Sequence, residues 1–359
     1  MGNFHESLFE INFNDLEWNL SFLKSKLNLN TKIIAVVKAF AYGHGDIEIC
    51  KKLENLNIYA FWVADFEEGV LLRKHGIKKP IIVANTSPKS ISQIIKYNLD
   101  VVVYNFRMLD ALVLKKAPVN IHLKFNCGMN RFGFSYDDIP KIKKELNNNM
   151  LIINSICSHL SSSRNPDNDE ITKKELQKFN EIIAKFPKKI LAHILNTSGV
   201  IRFPKHQHSA VRLGIGLYGI HNESQLIQIG KLTTTISQIR NINKDELIGY
   251  GGKFQSTKKM KIGIVPFGYA DGLDRKLGNS NGVLFVNGKK CTILGEISMD
   301  SCVIDLSKAH AKEGDRVEIF GLNNNIYTIC KKINSIPYEF LSKINRRIKR
   351  IYINQKSLE

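Results

Sequence analysis

No stretch of the chain approaches the roughly 18 consecutive apolar residues of a membrane span, so none is expected. The opening MGNFHESLFEINF has no basic segment followed by an apolar core, which argues against a secretory signal peptide. Glu6 stands where a myristoylation site wants Ser or Thr. Cys50, Cys127, Cys157, Cys291, Cys302 and Cys330 include no CxxC pair, and no Cys/His cluster has metal-ligand spacing. They read as free thiols, mostly packing residues, in a protein of the reducing cytoplasm. Internal repeats and low-complexity linkers are also missing.

Acidic residues are outnumbered, 33 against 52 basic ones, for a formal net charge of +19. The lysines are spread among asparagines and isoleucines without interleaved aromatics, which reads as a solvated surface rather than a nucleic-acid groove. The positive field still favours anionic ligands. Hydrophobic content of 43% and charged content of 24% are ordinary for a globular protein. A length of 359 residues accommodates a large domain and a smaller one.

Short apolar runs recur near residues 32–38, 59–65, 80–85, 99–104, 119–125, 151–158, 189–195 and 209–217. Most gaps carry amphipathic, lysine-bearing segments such as DIEICKKLENL, EEGVLLRKHG and SISQIIKYN. Strands alternating with helical patterns imply βα units and a parallel sheet. Eight such runs suit an α/β fold of the (β/α)8 barrel type. From about residue 227 the texture becomes strand-like: KLTTTISQIRNI, KIGIVPFG, GVLFVNGKKCTIL, SCVIDL and DRVEIFG. Asn287-Gly288 is a hairpin signal. The expected division is a barrel over 1–226, whose first residues could pair elsewhere, and a mostly β domain over 227–359.

In a barrel the chemistry sits where strands end. Lys38 ends the first run, in AVVKAFAYGHG. Lys124 ends the fifth and is followed by Gly128, Met129 and Arg131. His159 ends the sixth; Asn196, Thr197 and Ser198 follow the seventh; Arg212 and Gly214 fall in the eighth. GIGLYG at 214–219 matches GxGxxG but lies too late for a dinucleotide fingerprint. It reads instead as the phosphate-binding loop found late in such barrels.

A lysine at the mouth, a phosphate cradle and nearby aromatics suggest pyridoxal phosphate, since lysine forms a Schiff base with an aldehyde cofactor. Tyr42, the Thr197 and Ser198 hydroxyls and the Gly214 and Ile215 amides would hold the phosphate. Arg212, always protonated, would face the pyridine nitrogen and leave it unprotonated. That weaker electron sink suits a simple proton exchange at Cα.

AVVKAFAYGHG resembles the AVVKANAYGHG signature of the alanine racemase family. LKFNCGMNRFGF, HILNTSG, VRLGIGLYGI, GYGGKF, PFGYADG, GEISMD and RRIKRIY have counterparts in the same order. The resemblance implies that Lys38 holds the cofactor and acts as base on the D-enantiomer. It implies that Tyr250, in GYGG, is the opposite-face base, supplied across a homodimer with shared sites. Arg131 and the Met299 amide would bind the substrate carboxylate, with Tyr269 at the entrance. Lys124 corresponds to a family lysine that is often carbamylated and steadies the arginine. His159 and His193 would surround Arg212. Tyr42, Asn196, Thr197, Gly214, Ile215 and Tyr352 match cofactor contacts. Two bases also make physical sense, because one fixed group cannot easily serve both faces of Cα. Both residue types have ordinary pKa values of about 10 and need tuning to work near neutrality.

The implied activity is interconversion of L- and D-alanine, supplying D-alanine for peptidoglycan. Alternatives are a racemase preferring serine, lysine or several amino acids, a non-catalytic pyridoxal-phosphate-binding carrier, and a decarboxylase of the same fold type. The carrier would lack GYGG and GYADG; the decarboxylase would carry a C-terminal cysteine motif not found here. The chain departs from the family pattern at Phe40 (usually Asn), at Asn126-Cys127 (usually Asp-Thr), at Thr197 (commonly Ser) and at Ile348-Lys349 (usually Val-Pro).

Overall fold

The computed structural model describes residues 5–116, 119–146 and 151–354. Residues 1–4, part of the N-terminal stretch read above, lie outside them. Two compact units emerge. One takes in Glu17–Ala41 and Asp46–Leu226, the other the described parts of Met1–Leu16, Tyr42–Gly45 and Ile227–Glu359. Among the described residues no helix is long and apolar enough to cross a membrane.

The first unit is built on eight parallel strands: Lys32–Val36, Ala60–Val63, Ile81–Val83, Asp100–Val103, Asn120–Lys124, Ile152–Cys157, Leu191–His193 and Ala210–Leu213. All eight fall in the predicted runs. Their ladder runs in chain order from the first to the seventh, with the eighth beside the first. At the remaining seam, the Arg212 N–H donates to the Leu195 carbonyl at 2.9 Å, and the Ala192 N–H to Ser209 Oγ at 2.6 Å. The sheet is thus a nearly closed (β/α)8 barrel. Ala60–Val63, Ile81–Val83, Asp100–Val103 and Ala210–Leu213 are buried at every position. Burial on both faces is why these strands read as unbroken apolar runs. The intervening helices are one-sided: Asp46–Glu54 buries Ile49, Cys50 and Leu53 and turns Lys51 outward. Asp65 caps Phe66–Lys74 and Asn105 caps Phe106–Lys115, each accepting a backbone N–H of the first turn.

The second unit is a nine-stranded sheet. Its order is Gln238–Ile242, Met260–Val265, Cys302–Asp305, Lys289–Leu294, Val283–Val286, Arg316–Phe320, Gly230–Thr235, Leu8–Asn12 and Lys349–Ile353. The predicted hairpin is present, with Asn287 and Gly288 at φ 49° and 71° as a type I′ turn requires. KLTTTISQIRNI is two strands rather than one. The Ile236 N–H bonds to Asp315 and the Ser237 N–H to Ile264, so adjacent amides serve different parts of the sheet. The N-terminal Leu8–Asn12 lies inside this sheet, antiparallel to Gly230–Thr235 and parallel to Lys349–Ile353.

Candidate active site

The first barrel strand stops at Val36, and Lys38 opens a left-handed turn, Lys38–Tyr42. Ala39, Phe40, Ala41 and Tyr42 all have φ between 51° and 56°. Left-handed backbone costs L-residues roughly 1–2 kcal/mol each, so four in succession need support. In the barrel unit that support comes from Glu68. Its Oε1 accepts the Ala39 N–H and its Oε2 the Ala64 N–H, each at 2.7 Å. Lys38 is exposed as a residue, but partial desolvation holds its ammonium below the ordinary lysine range; Arg131 adds to this and Glu68 opposes it.

Arg212 is buried inside the barrel. Its Nη1 donates to His193 Nδ1 and, at 3.2 Å, to the His193 carbonyl. Its Nη2 donates to the Ser158 carbonyl, to His159 Nδ1 at 3.2 Å and to the Ile194 carbonyl at 3.2 Å. The guanidinium also lies 5.2 Å from the centroid of the Trp62 ring. A guanidinium has no acceptor, so both histidines must present an unprotonated Nδ1. Burial first, and the Arg212 charge second, hold both imidazoles well below the usual histidine range. They are neutral, with the proton on Nε2.

Lys124 ends the fifth strand beside Cys157 of the sixth. Burial, aided by Arg212, Arg131 and Lys38 and opposed by Cys157, brings its pKa down to about 8. Its ammonium is 5.7 Å from the Phe132 ring centroid. The loop beyond is organised by Asn126, whose Oδ1 accepts the Gly128 and Asn130 N–H groups at 3.2 and 3.0 Å. Lys124, Asn126, Met129, Arg131, Ser158 and His159 line a small cleft. Cys127 is buried and its thiol is pushed up to about 11 by desolvation, so it is no nucleophile near neutrality.

After the seventh strand, Asn196 Oδ1 accepts the Gly199 N–H and the Ser163 hydroxyl, both at 2.9 Å. Thr197 Oγ1 accepts the Gly214 and Gly216 N–H groups at 3.3 and 3.4 Å, tying this segment to the loop that carries Ile215. Ser198 pairs instead with His221 Nε2 at 3.1 Å.

In the second unit, Tyr42 is buried against Tyr338, with ring centroids 5.9 Å apart. Desolvation raises its phenol pKa. Gly43 and Gly45 have φ of 83° and 95°. A side chain on them would strike the Leu341 carbonyl and the Tyr352 hydroxyl, respectively. Tyr352 donates to the His44 carbonyl at 3.0 Å, and Arg350 donates to the Gly43 carbonyl at 3.0 and 2.9 Å. Tyr250 follows Gly249 and precedes Gly251, both at positive φ, and is 71% exposed. Tyr269 and Met299 are likewise exposed, on loops joined by Tyr269 N–H to Ser298 and Ala270 N–H to Met299. Arg347 bridges Asp271 and Asp300 at 2.7 and 2.6 Å and braces the same two loops.

The barrel thus brings Lys38, Lys124, Arg131, His159, His193 and Arg212 together, while Tyr42, Tyr250, Tyr269, Met299 and Tyr352 belong to the other unit. Sequence reasoning missed Glu68, because an acid in the first turn of a helix is ordinary. It also missed His122. That residue lies two positions before Lys124 on one strand, hence on the same face, a signal that was available. The set fits pyridoxal phosphate. Lys38, Lys124, Arg131 and Arg212 all act on His159 as cations, an arrangement that favours an anion. A lysine of lowered pKa gives up its proton more readily, as reaction with an aldehyde requires.

Comparison with known proteins agrees with this chemistry. Residues 11–222 match the family model described as alanine racemase, N-terminal domain, and residues 229–352 that of alanine racemase, C-terminal domain. Alanine racemase 1 of Caldanaerobacter subterraneus subsp. tengcongensis is 34% identical, over 96% of this chain and 94% of that protein. A solved alanine racemase of Clostridium difficile superposes with a TM-score of 0.92 at 28% identity, covering 98% of this chain and 97% of that one. The Bartonella henselae alanine racemase with covalently bound pyridoxal phosphate superposes at 0.87 with 26% identity, covering 97% and 99%. With both family models matched in order and relatives aligned end to end, the chain belongs to the alanine racemase family.

Proposed function

We propose that this protein interconverts L-alanine and D-alanine with pyridoxal 5'-phosphate held on Lys38. The observation that carries the reading is a lysine of depressed pKa at the head of a clamped turn, set among Arg131, Lys124 and Arg212. When bound, the cofactor supplies a conjugated ring that takes up electron density as the Cα proton leaves.

The chain's own residues do the rest. Lys38 Nζ takes the Cα proton of the D-enantiomer on one face, and in the reverse direction delivers a proton to that face. Tyr250 Oη, from a second subunit, serves the opposite face; its exposure between glycines supports this role. Arg131 and the Met299 N–H orient the substrate carboxylate, and Tyr269 narrows the entrance. Tyr42, Asn196, Thr197, Gly214, Ile215 and Tyr352 hold the cofactor, mainly at its phosphate. Arg212, a donor that stays charged even when buried, keeps the pyridine nitrogen unprotonated, with His159 and His193 fixing its fork. Lys124 steadies Arg131, and its lowered pKa favours carbamylation. In this reading the barrel sequence (1–226, its first residues paired into the other sheet) carries most of the cofactor contacts, and the β domain (227–359) supplies Tyr352 and the second base. The protein works as a cytoplasmic homodimer, making D-alanine for peptidoglycan.

Purified protein assayed with L- and D-alanine, serine and lysine tests the activity. Borohydride reduction should fix the cofactor on Lys38. A reduced adduct on another lysine, or failure to interconvert alanine, ends the reading.

A further inference from the structure

Arg212 is buried at 5% exposure, and its hydrogen bonds end on three backbone carbonyls and two neutral imidazoles. A buried cation without an anionic counterpart is costly, by several kcal/mol. From His193 a chain of hydrogen bonds leads on to a buried carboxylate. His193 Nε2 is 2.9 Å from Ser155 Oγ, Ser155 Oγ is 2.6 Å from His122 Nδ1, and His122 Nε2 is 3.3 Å from Asp100 Oδ2. His122, Ser155 and His193 are each at most 1% exposed, and Asp100 is 5% exposed. The five residues come from the eighth, seventh, sixth, fifth and fourth strands, so the chain of bonds crosses neighbouring strands in turn.

We propose that Asp100, His122 and Ser155 are positioning residues: they form a one-way hydrogen-bond relay that fixes the His193 tautomer and so holds the Arg212 guanidinium. The direction follows from the ends. Arg212 can only donate, so His193 accepts at Nδ1 and carries its proton on Nε2. That proton goes to Ser155 Oγ. With His122 neutral and its proton on Nε2, facing Asp100, the Ser155 hydroxyl donates onward to His122 Nδ1. An ionised carboxylate can only accept, so Asp100 takes that last proton in hydrogen bonding. Every link is satisfied in this sense, and the reverse sense fails at both ends. Such a chain polarises along its length, so the carboxylate answers the guanidinium without touching it. Asp100 also accepts Asn120 Nδ2 at 3.0 Å and Asn154 Nδ2 at 3.4 Å, so its neighbours in these bonds are all donors.

The positioning role rests on Arg212 facing the cofactor ring; the relay itself does not. The full-length protein, labelled with 15N in its histidines, is read by long-range 1H–15N correlation with and without pyridoxal phosphate. His122 and His193 should both appear as neutral Nε2–H tautomers, assigned by loss of each signal on substitution. A protonated Nδ1 at His193, or an imidazolium at either residue, overturns the relay from the wild-type spectrum alone. Asp100→Asn keeps the shape but sets an amide donor against donors. It should shift His122 Nδ1 toward the protonated range, disturb His193, and lower kcat for alanine more than it raises KM. With Ser155→Ala in place the relay is cut, and adding Asp100→Asn should no longer move the His193 signal. If Asp100→Asn leaves the His193 spectrum and kcat unchanged, the relay positions nothing and the proposal falls. Unchanged turnover in Arg212→Gln would fault the reading of Arg212 and with it the positioning role, whereas the tautomers are judged on the spectra.

Discussion

Glu68 accepts the Ala39 N–H at 2.7 Å and thereby stitches the residue after Lys38 to the second barrel strand's end, where the same carboxylate takes the Ala64 N–H. Glu68→Gln keeps one acceptor and turns an NH2 toward an amide donor. One backbone N–H then loses its acceptor in a partly exposed site, and the charge that raises the Lys38 pKa is removed. The expected result is faster hydrogen exchange at the Ala39 amide and a Lys38-dependent limb of the pH–rate profile shifted to lower pH. An unmoved limb with unchanged exchange would show that Glu68 does not hold the turn.

Ala39 is exposed and sits at φ 52°, so its Cβ adds strain and buries nothing. Ala39→Gly removes roughly 1–2 kcal/mol of strain at an entropic cost of about 0.5–1 kcal/mol. Thermal unfolding should therefore move to higher temperature, and Ala39→Val should move it lower. A fall in Tm for the glycine variant would contradict the observed backbone.

Tyr250→Phe removes only the ionisable oxygen of an exposed phenol, so folding should survive. A loss of about 10²- to 10⁴-fold in racemisation is expected in both directions. Exchange of the D-alanine Cα proton, the step proposed for Lys38, should outlast exchange from L-alanine. Mixing Lys38→Ala with Tyr250→Phe subunits should restore activity through heterodimers. If heterodimers form and stay inactive, Tyr269 becomes the candidate.

Lys124 titrates at about 8 when folded and, as an ordinary lysine, near 10.4 when unfolded. Between those values the unfolded chain binds more protons, so this group makes stability rise with pH over that window. Below about 8 both states are protonated and the burial penalty is felt in full. Lys124→Met should flatten the rise, checked by urea unfolding at a series of pH values. The neutral amine also adds to carbon dioxide, forming an N–C bond and releasing a proton. A 13C carbamate signal that strengthens above pH 8 and vanishes in Lys124→Met is the expected sign.

The barrel was legible because Ile81–Val83, Asp100–Val103 and their neighbours are buried on both faces and leave almost unbroken apolar runs. The turn after Lys38 was not, since AFAY contains no glycine to announce positive φ. Phe40 even occupies a left-handed position that asparagine, the family's usual residue there, adopts more readily. Lys349–Ile353 was unread as a strand because Lys349 and Arg350 interrupt its apolar pattern, although Arg350 is buried on the Gly43 carbonyl. Asp100, His122 and Ser155 each look like a stray polar residue in a strand. Only the parallel register, with Val102 beside His122 and His122 beside Ser155, turns them into one chain of bonds.

Leu8 pairs with Thr233 on one side and Lys349 on the other. During synthesis, therefore, the first strand emerges from the ribosome long before either neighbour exists. The Gly43 carbonyl waits equally long, because its partner Arg350 is made near the end. All eight barrel strands are complete by Leu213, and Glu68 can already hold Ala39, yet the Gly43 end of the segment gains Arg350 only when the final strand arrives. A ribosome stalled before Lys349 would hold a chain with its barrel sequence finished and the Gly43 carbonyl still waiting for Arg350, so the last-made strand completes the packing of the loop after Lys38.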